Sequence, residues 1–243
     1  MTLRLHVAQL PGAGDCFALP AGAARHAQVR RSQPGDALRL FDGRGGEWTA
    51  EVVRMGRHEV EVRLAEHLDV SREPPFAASI ALGVPANERM DALIEKATEL
   101  GVAVVQPLMT ERSVLRVGGE RAARRRVHWQ AIAVAAAEQC GATRIPELRP
   151  VMELGAWLRT LPPAGGELGA RWLLSPAKDA RPWAPPPPAL ASWTTLSGPE
   201  GGLSEAEQAL AAQAGFEAVG LGPRVLRADT APLAVLAAML LRR

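Results

Sequence analysis

Apolar and polar residues alternate through the first 72 positions. Asp36-Ala37-Leu38-Arg39-Leu40-Phe41 has a period of two, and Asp42-Gly43 follows as a turn signal. Trp48-Thr49-Ala50-Glu51-Val52-Val53 and Glu59-Val60-Glu61-Val62-Arg63-Leu64 continue the pattern. Short strands between Gly-containing turns predict a small barrel or sandwich, interrupted by a short helix over 21–31. Ser71-Arg72-Glu73-Pro74-Pro75 reads as a linker, which places domains at 1–72 and 73–243.

Beyond the linker the period changes. Ala78-Ser79-Ile80-Ala81-Leu82-Gly83-Val84 reads as a buried strand. Met90, Leu93, Ile94, Ala97 and Leu100 recur at helical spacing, with Gly101 placed to end the helix. A strand at 102–105, a long helix from about 120 to 140 stopped by Gly141, and strands at 171–175, 194–197 and 218–221 follow. Strands alternating with helices predict an α/β domain with a mainly parallel sheet covered on both faces. Pro182-Trp183-Ala184-Pro185-Pro186-Pro187-Pro188 reads as a stiff surface loop. The final helix, from about Ala231 to Leu241, is apolar on nearly all sides and needs burial, in a subunit interface or a monomer core.

Two glycine-bearing segments carry the chemistry. Leu196-Ser197-Gly198-Pro199-Glu200-Gly201-Gly202-Leu203-Ser204 and Leu221-Gly222-Pro223-Arg224-Val225-Leu226-Arg227-Ala228-Asp229-Thr230-Ala231 each follow an apolar run and precede a helical pattern. Such segments bring bare backbone groups to the end of a buried strand, where α/β proteins hold small ligands. Ser204-Glu205-Ala206-Glu207 matches a capping box. The GxGxxG fingerprint, P-loop, GxSxG elbow and HExxH motif are all absent, which counts against dinucleotide, NTP, serine-hydrolase and zinc chemistry. Glu200 has two readings of equal weight, a carboxylate satisfied by nearby N–H groups or a polar contact to ligand. Arg224 and Arg227 suit a phosphate or a polarised base, while Asp229-Thr230 suits an ordinary turn and N-cap. Glu138 falls on the stripe Val127, Ala131, Val134, and a buried pair with Arg112 or Arg144 is the favoured reading. His26, His58, His67 and His128 form no triad.

Composition refines this little. The net charge is +2, so bulk charge announces no nucleic-acid partner. Lys96 and Lys178 are the only lysines, a bias that GC-rich coding explains better than phosphate binding does. Arg112, Arg116, Arg121, Arg124, Arg125 and Arg126 against the single acid Glu120 make a phosphate-facing patch or a solvated helix face. Cys16 and Cys140 sit in no metal-binding spacing, so neither a disulfide framework nor a metal site is expected. With no membrane-length apolar run and no signal-peptide pattern, a cytoplasmic protein is the expectation.

Five motifs in order give a specific resemblance. They are Lys96-Ala97-Thr98-Glu99-Leu100-Gly101-Val102, Thr110-Glu111-Arg112-Ser113, Ala137-Glu138-Gln139-Cys140-Gly141, Gly198 to Ser204, and Leu221 to Arg227. Together they resemble the RsmE family, the 16S rRNA uridine-1498 N3-methyltransferases, over nearly the whole chain. The resemblance implies an N-terminal PUA-like β-barrel that helps bind RNA. It also implies a SPOUT-type domain whose C-terminal segment threads a trefoil knot. S-adenosylmethionine would lie among the knot loops, at Leu174, Ser175, Leu196, Gly198, Glu200, Gly201, Gly202, Leu221, Gly222, Val225, Leu226 and Arg227. Family members are homodimers, and their early RNA-side arginine matches Arg4. Arg30 stands where leucine is usual, Ala142 where arginine is common although Arg144 matches, and Asp229 where glutamate is usual.

Methyl transfer to uridine N3 needs positioning and loss of the N3 proton, and it needs no metal. Arg224 or Arg227 is the expected stabiliser of a uracil anion, with Glu200 the candidate base. Arg4, Arg112, Arg121, Arg124 and Arg125 are expected to hold RNA backbone, as part of 16S rRNA or the small ribosomal subunit. Two other readings compete: the same fold methylating a ribose 2′-hydroxyl, and an RNA-binding assembly protein without catalysis.

Overall fold

A computed structural model describes residues 2–57, 59–85, 87–113, 118–163, 169–177, 179–186 and 190–241. The chain forms two compact units. The first takes Met1–Glu73 together with Val134–Ile145, and the second takes Pro74–Ala133 with Pro146–Arg243. A purely linear boundary would leave Val134–Ile145 out of the first unit.

In the first unit, β1 (Leu3–His6), β2 (Cys16–Ala18), α1 (Ala21–Val29), β3 (Ala37–Phe41), β4 (Glu47–Met55) and β5 (Val60–Leu68) form one five-stranded sheet with a covering helix. The strand order is β1-β3-β4-β5-β2. Period-two alternation sends Leu38, Leu40, Val60, Val62 and Leu64 inward, where they are fully buried with Leu5 and Val52. Ala23, Ala24 and Ala27 of α1 complete that core.

Glu47 is 4% exposed and faces three arginines: Arg4 Nε at 3.3 Å, Arg72 Nη1 at 3.3 Å and Arg39 Nε at 3.8 Å. Burial disfavours its charged form, but the hydrogen bond and charge of Arg72, with those of Arg4, outweigh burial and hold the carboxyl below the usual range. Arg4 also donates Nη1 to Ala137 O at 2.8 Å and Nη2 to Ala142 O at 3.0 Å, and its guanidinium lies 4.6 Å from the Phe41 ring centre. Its side chain is only 12% exposed. The arginine expected to hold RNA thus has its donors engaged inside its own unit.

Glu138 corrects another expectation. Val127 is 69% exposed and Ala131 is exposed; the buried face of the long helix carries Trp129, Ala133, Ala136 and Ala137 instead. Glu138 accepts from the His6 N–H at 2.8 Å and pairs with His26 Nδ1 at 3.2 Å, not with Arg112 or Arg144.

The second unit contains β6 (Ala77–Gly83), α2 (Asn87–Glu99), β7 (Val104–Met109), α3 (Gly119–Cys140, whose end belongs to the first unit), β8 (Glu147–Leu148), β9 (Met152–Glu153), α4 (Leu154–Thr160), β10 (Ala170–Leu174), β11 (Arg181–Pro182), β12 (Ser192–Ser197), α5 (Glu205–Gln213), β13 (Glu217–Gly220) and α6 (Thr230–Leu240). The strands pair in the order β11-β13-β10-β12-β6-β7-β8, with β9 also on β7, and every pairing is parallel. A parallel sheet buried on both faces needs near-continuous apolar strands. Ile80, Ala81 and Leu82 of β6 and Trp193 and Leu196 of β12 are buried to 1% exposure or less.

Pro182 is not simply loop, since β11 pairs with β13 and the Trp183 N–H donates to Gly220 O. Pro187 and Pro188 lie outside the described residues, as do His58, Arg116 and Lys178.

Candidate active site

The sheet order decides where the loops meet. β10 lies between β12 and β13, so three parallel strands end side by side. The chain leaving β10 at 174–177, the segment after β12 and the segment after β13 therefore emerge at one edge, where open α/β sheets bind ligands. They enclose a cavity of about 610 Å³, inside the size range of small-molecule sites. Ser197 Oγ donates to Ala228 O at 3.4 Å, a direct link between the two glycine-bearing segments.

The segment after β12 is tightly built. Gly198 has no room for a side chain: a Cβ there would lie 2.6 Å from the Gly202 carbonyl carbon and 2.7 Å from Leu203 N. A Cβ on Gly83 at the end of β6 would come within 2.5 Å of the Pro199 ring. Gly202 N–H donates to Pro199 O at 2.8 Å, closing a turn around Glu200 and Gly201. The capping box forms as its sequence predicts. Ser204 Oγ accepts from Glu207 N–H at 3.3 Å, and Glu207 Oε2 accepts from Ser204 N–H at 2.9 Å. Glu207 Oε1 also accepts from Glu111 N–H at 2.8 Å, which holds the segment after β7 to the start of α5.

Of the residues expected to hold the cofactor, Leu174, Ser175, Gly198, Glu200, Gly201, Gly202, Val225, Leu226 and Arg227 line the cavity. Leu221, Gly222 and Arg224 line a smaller hollow beside it, sharing Leu174, Ser175 and Leu226. Leu196 differs. It is fully buried among Ala81, Leu173 and Leu203 in the core and lines neither space. Ser175 orders the β10 exit, its N–H donating to Val219 O and its hydroxyl accepting from Ala177 N–H.

Arg227 and Arg224 are exposed. The Arg227 carbonyl accepts from Thr230 and Ala231 N–H and so makes the turn into α6. Asp229 precedes that helix but makes no capping bond; its Oδ1 is buried without a partner. The N-cap role expected for it is not realised.

The cavity also includes two arginines from other elements. Arg112 lines it and donates Nη1 to Gly201 O at 3.0 Å. Arg89, on α2, pairs with Glu200 at 2.9 Å. Nothing in the local sequence singles out Arg89; only its position in the first turn of a helix beginning near the cavity does so. Arg121, Arg124 and Arg125 line a separate groove of about 400 Å³ with Glu88, Asp91, His128 and Trp129. Asp91 there accepts from Trp129 Nε1 at 3.1 Å and pairs with His128 Nε2 at 2.8 Å. Arg126 does not line that groove.

Lys96 lies between Glu95 at 2.7 Å and Glu99 at 2.8 Å, and those hydrogen bonds raise its ammonium above the usual lysine range. It is a surface feature of α2 rather than part of the cavity. Among the described residues, no cluster of histidine, cysteine, aspartate or glutamate could hold a metal ion. Among those residues, too, no helix is long and apolar enough to cross a membrane.

Comparison with known proteins gives consistent matches. The RNA methyltransferase domain family matches residues 72–240, and the RNA methyltransferase PUA domain family matches residues 19–65. The chain is 33% identical over 214 residues to ribosomal RNA small subunit methyltransferase E of Synechocystis, covering 86% of this chain and 67% of that protein. It is 30% identical to the protein of the same name from Bacillus subtilis, covering 87% of this chain and 84% of the relative. Among solved structures, ribosomal RNA small subunit methyltransferase E from Neisseria gonorrhoeae, bound to S-adenosyl methionine, superposes with a TM-score of 0.90 at 33% identity over 98% of this chain and 97% of that one. A Legionella pneumophila methyltransferase in complex with its cofactor SAM gives 0.91 at 34% identity, with the same coverage.

Proposed function

Because the chain belongs to the ribosomal RNA small subunit methyltransferase E family, we propose that it transfers a methyl group from S-adenosylmethionine to N3 of uridine 1498 in 16S ribosomal RNA. The observation that carries the reading is the cavity where the exits of β10, β12 and β13 converge. Its lining suits the donor. Leu173, Leu174, Leu203 and Leu226 offer apolar surface to a nucleobase, while Gly198, Gly201 and Gly202 bring main chain to the cavity without side chains. Arg112 and Arg227 offer charge to the amino-acid end. The bound sulfonium supplies an electrophilic methyl group whose bond to sulfur breaks as the bond to uridine N3 forms.

The protein's own residues have two tasks. One is to hold the uracil in line, which supplies much of the rate. The other is to accept the N3 proton, or to offset the negative charge it leaves at O2 or O4. Arg227, exposed at the cavity, and Arg224, beside it, serve the second need through charge; Glu200 serves it as base. Arg112, Arg121, Arg124 and Arg125 contact RNA backbone, and the first unit contributes to RNA binding. The Arg4 guanidinium is engaged by Glu47 and by the carbonyls of Ala137 and Ala142, so its part in this reading is to order the first unit. The chain works in the cytoplasm as a homodimer. Leu233, Met239 and Leu240 of α6 are only partly buried and Leu241 is 82% exposed, an apolar face that a second copy covers.

Purified protein, labelled donor and small-subunit particles lacking the modification test the reading. One labelled uridine carrying the methyl at N3 is the expected product. Label on a ribose 2′-oxygen, or donor binding without transfer to any RNA, overturns it.

A further inference from the structure

The turn from Pro199 to Gly202 is gripped from two sides by arginines distant in sequence. Arg112 donates to the Gly201 carbonyl across 89 residues, and Arg89 reaches the Glu200 carboxylate across 111 residues. The two contacts differ in kind. Arg112 fixes main chain, whereas Arg89 fixes a side chain. A glutamate has three rotatable side-chain bonds, so its carboxylate wanders unless something holds it. A guanidinium at 2.9 Å removes that freedom. Both side chains line the cavity, and both are partly open to it, at 38% exposure for Arg89 and 30% for Glu200.

We infer that Arg89 is a positioning residue for methyl transfer, holding Glu200 at the cavity so that its carboxylate accepts the N3 proton as the N3–carbon bond forms. This rests on the function proposed above. The proton passes from N3 to a Glu200 oxygen, the N3 electron pair forms the new bond, and the sulfur keeps the pair of the broken one. Arg89 itself exchanges nothing with the substrate.

Five proteins test it: wild type, Arg89→Leu, Arg89→Lys, Glu200→Gln and the Arg89→Leu/Glu200→Gln double variant, which completes a double-mutant cycle. Glu200→Gln is expected to lower kcat about 100-fold, as for loss of a general base. Arg89→Leu is expected to lower kcat about tenfold at saturating donor and RNA, with Arg89→Lys recovering most of it. Added to Glu200→Gln, Arg89→Leu causes no further loss. Donor Kd by calorimetry changes less than kcat in every variant, and hydrogen exchange of the 198–203 amides rises in Arg89→Leu. Unchanged kcat in Arg89→Leu, an undiminished loss in the Glu200→Gln background, or a loss confined to RNA KM overturns the inference. If Arg89→Leu does not fold, Arg89→Gln replaces it throughout the cycle. Failure of wild type to bind donor or methylate RNA would instead defeat the proposed function, so the two failures are separable.

Discussion

Between β12 and α5 the chain is anchored at nearly every step, whereas between β13 and α6 it lies open. Pro199 and Leu203 are buried, and the start of α5 carries a complete capping box. In the later segment Gly222, Pro223, Arg224, Val225 and Arg227 are exposed, Val225 at 79%, and α6 begins with no side-chain cap. Both segments follow parallel strands flanking β10, but β12 has β6 and β7 on its far side whereas β13 has only the two-residue β11. The difference lies in neighbours. The first segment packs beside β6 through Gly83 and beside the residues after β7 through Glu111 and Arg112. One wall of the cavity is therefore preorganised, and the other is left for a ligand, an RNA or a second copy to complete. Preorganisation on one side reduces the ordering cost of binding, while an exposed apolar residue on the other gives a partner something to cover.

The largest expected effect follows from breaking the rigid wall. Gly198→Ala places a methyl against main chain that cannot rotate away, and it should cost about 1–3 kcal/mol of stability with loss of donor affinity. Thermal unfolding and calorimetry measure the two together. Glu207→Ala removes the reciprocal half of the cap and frees Glu111, for about 1 kcal/mol, with the donor bound more weakly. In the open wall Arg227→Ala should leave stability within about 0.5 kcal/mol, because the side chain is exposed, while turnover falls. Equal stability losses from Gly198→Ala and Arg227→Ala would erase the distinction between the walls.

The sequence made the regular elements of this fold legible because burial followed a clean period. Leu38 and Leu40, or Met90, Leu93, Ile94 and Ala97, show it directly. The two-residue strands β8, β9 and β11 were not readable, since two residues carry no period. The extent of the long helix is legible in the sequence but its buried face is not. Alanines occur on several of its sides, so hydrophobic contrast is weak; Val127 points out and Trp129 in. The glycine segments are readable because the chain needs bare backbone where a Cβ on Gly198 would lie 2.6 Å from the Gly202 carbonyl carbon. Arg89 was not, because its partner lies 111 residues away and an arginine in the first turn of a helix looks ordinary. Glu138 and Arg4 illustrate the same limit: their partners, His26 and the carbonyls of 137 and 142, are set by tertiary contact alone.

A structure of the protein with S-adenosylmethionine bound tests the central claim most directly. The donor should lie between the 197–203 and 225–231 segments, against Leu174 and Leu226, with the first segment unmoved and the second shifted onto it. A donor bound elsewhere, or one that reshapes the Gly198–Gly202 turn while the later segment stays still, contradicts the account.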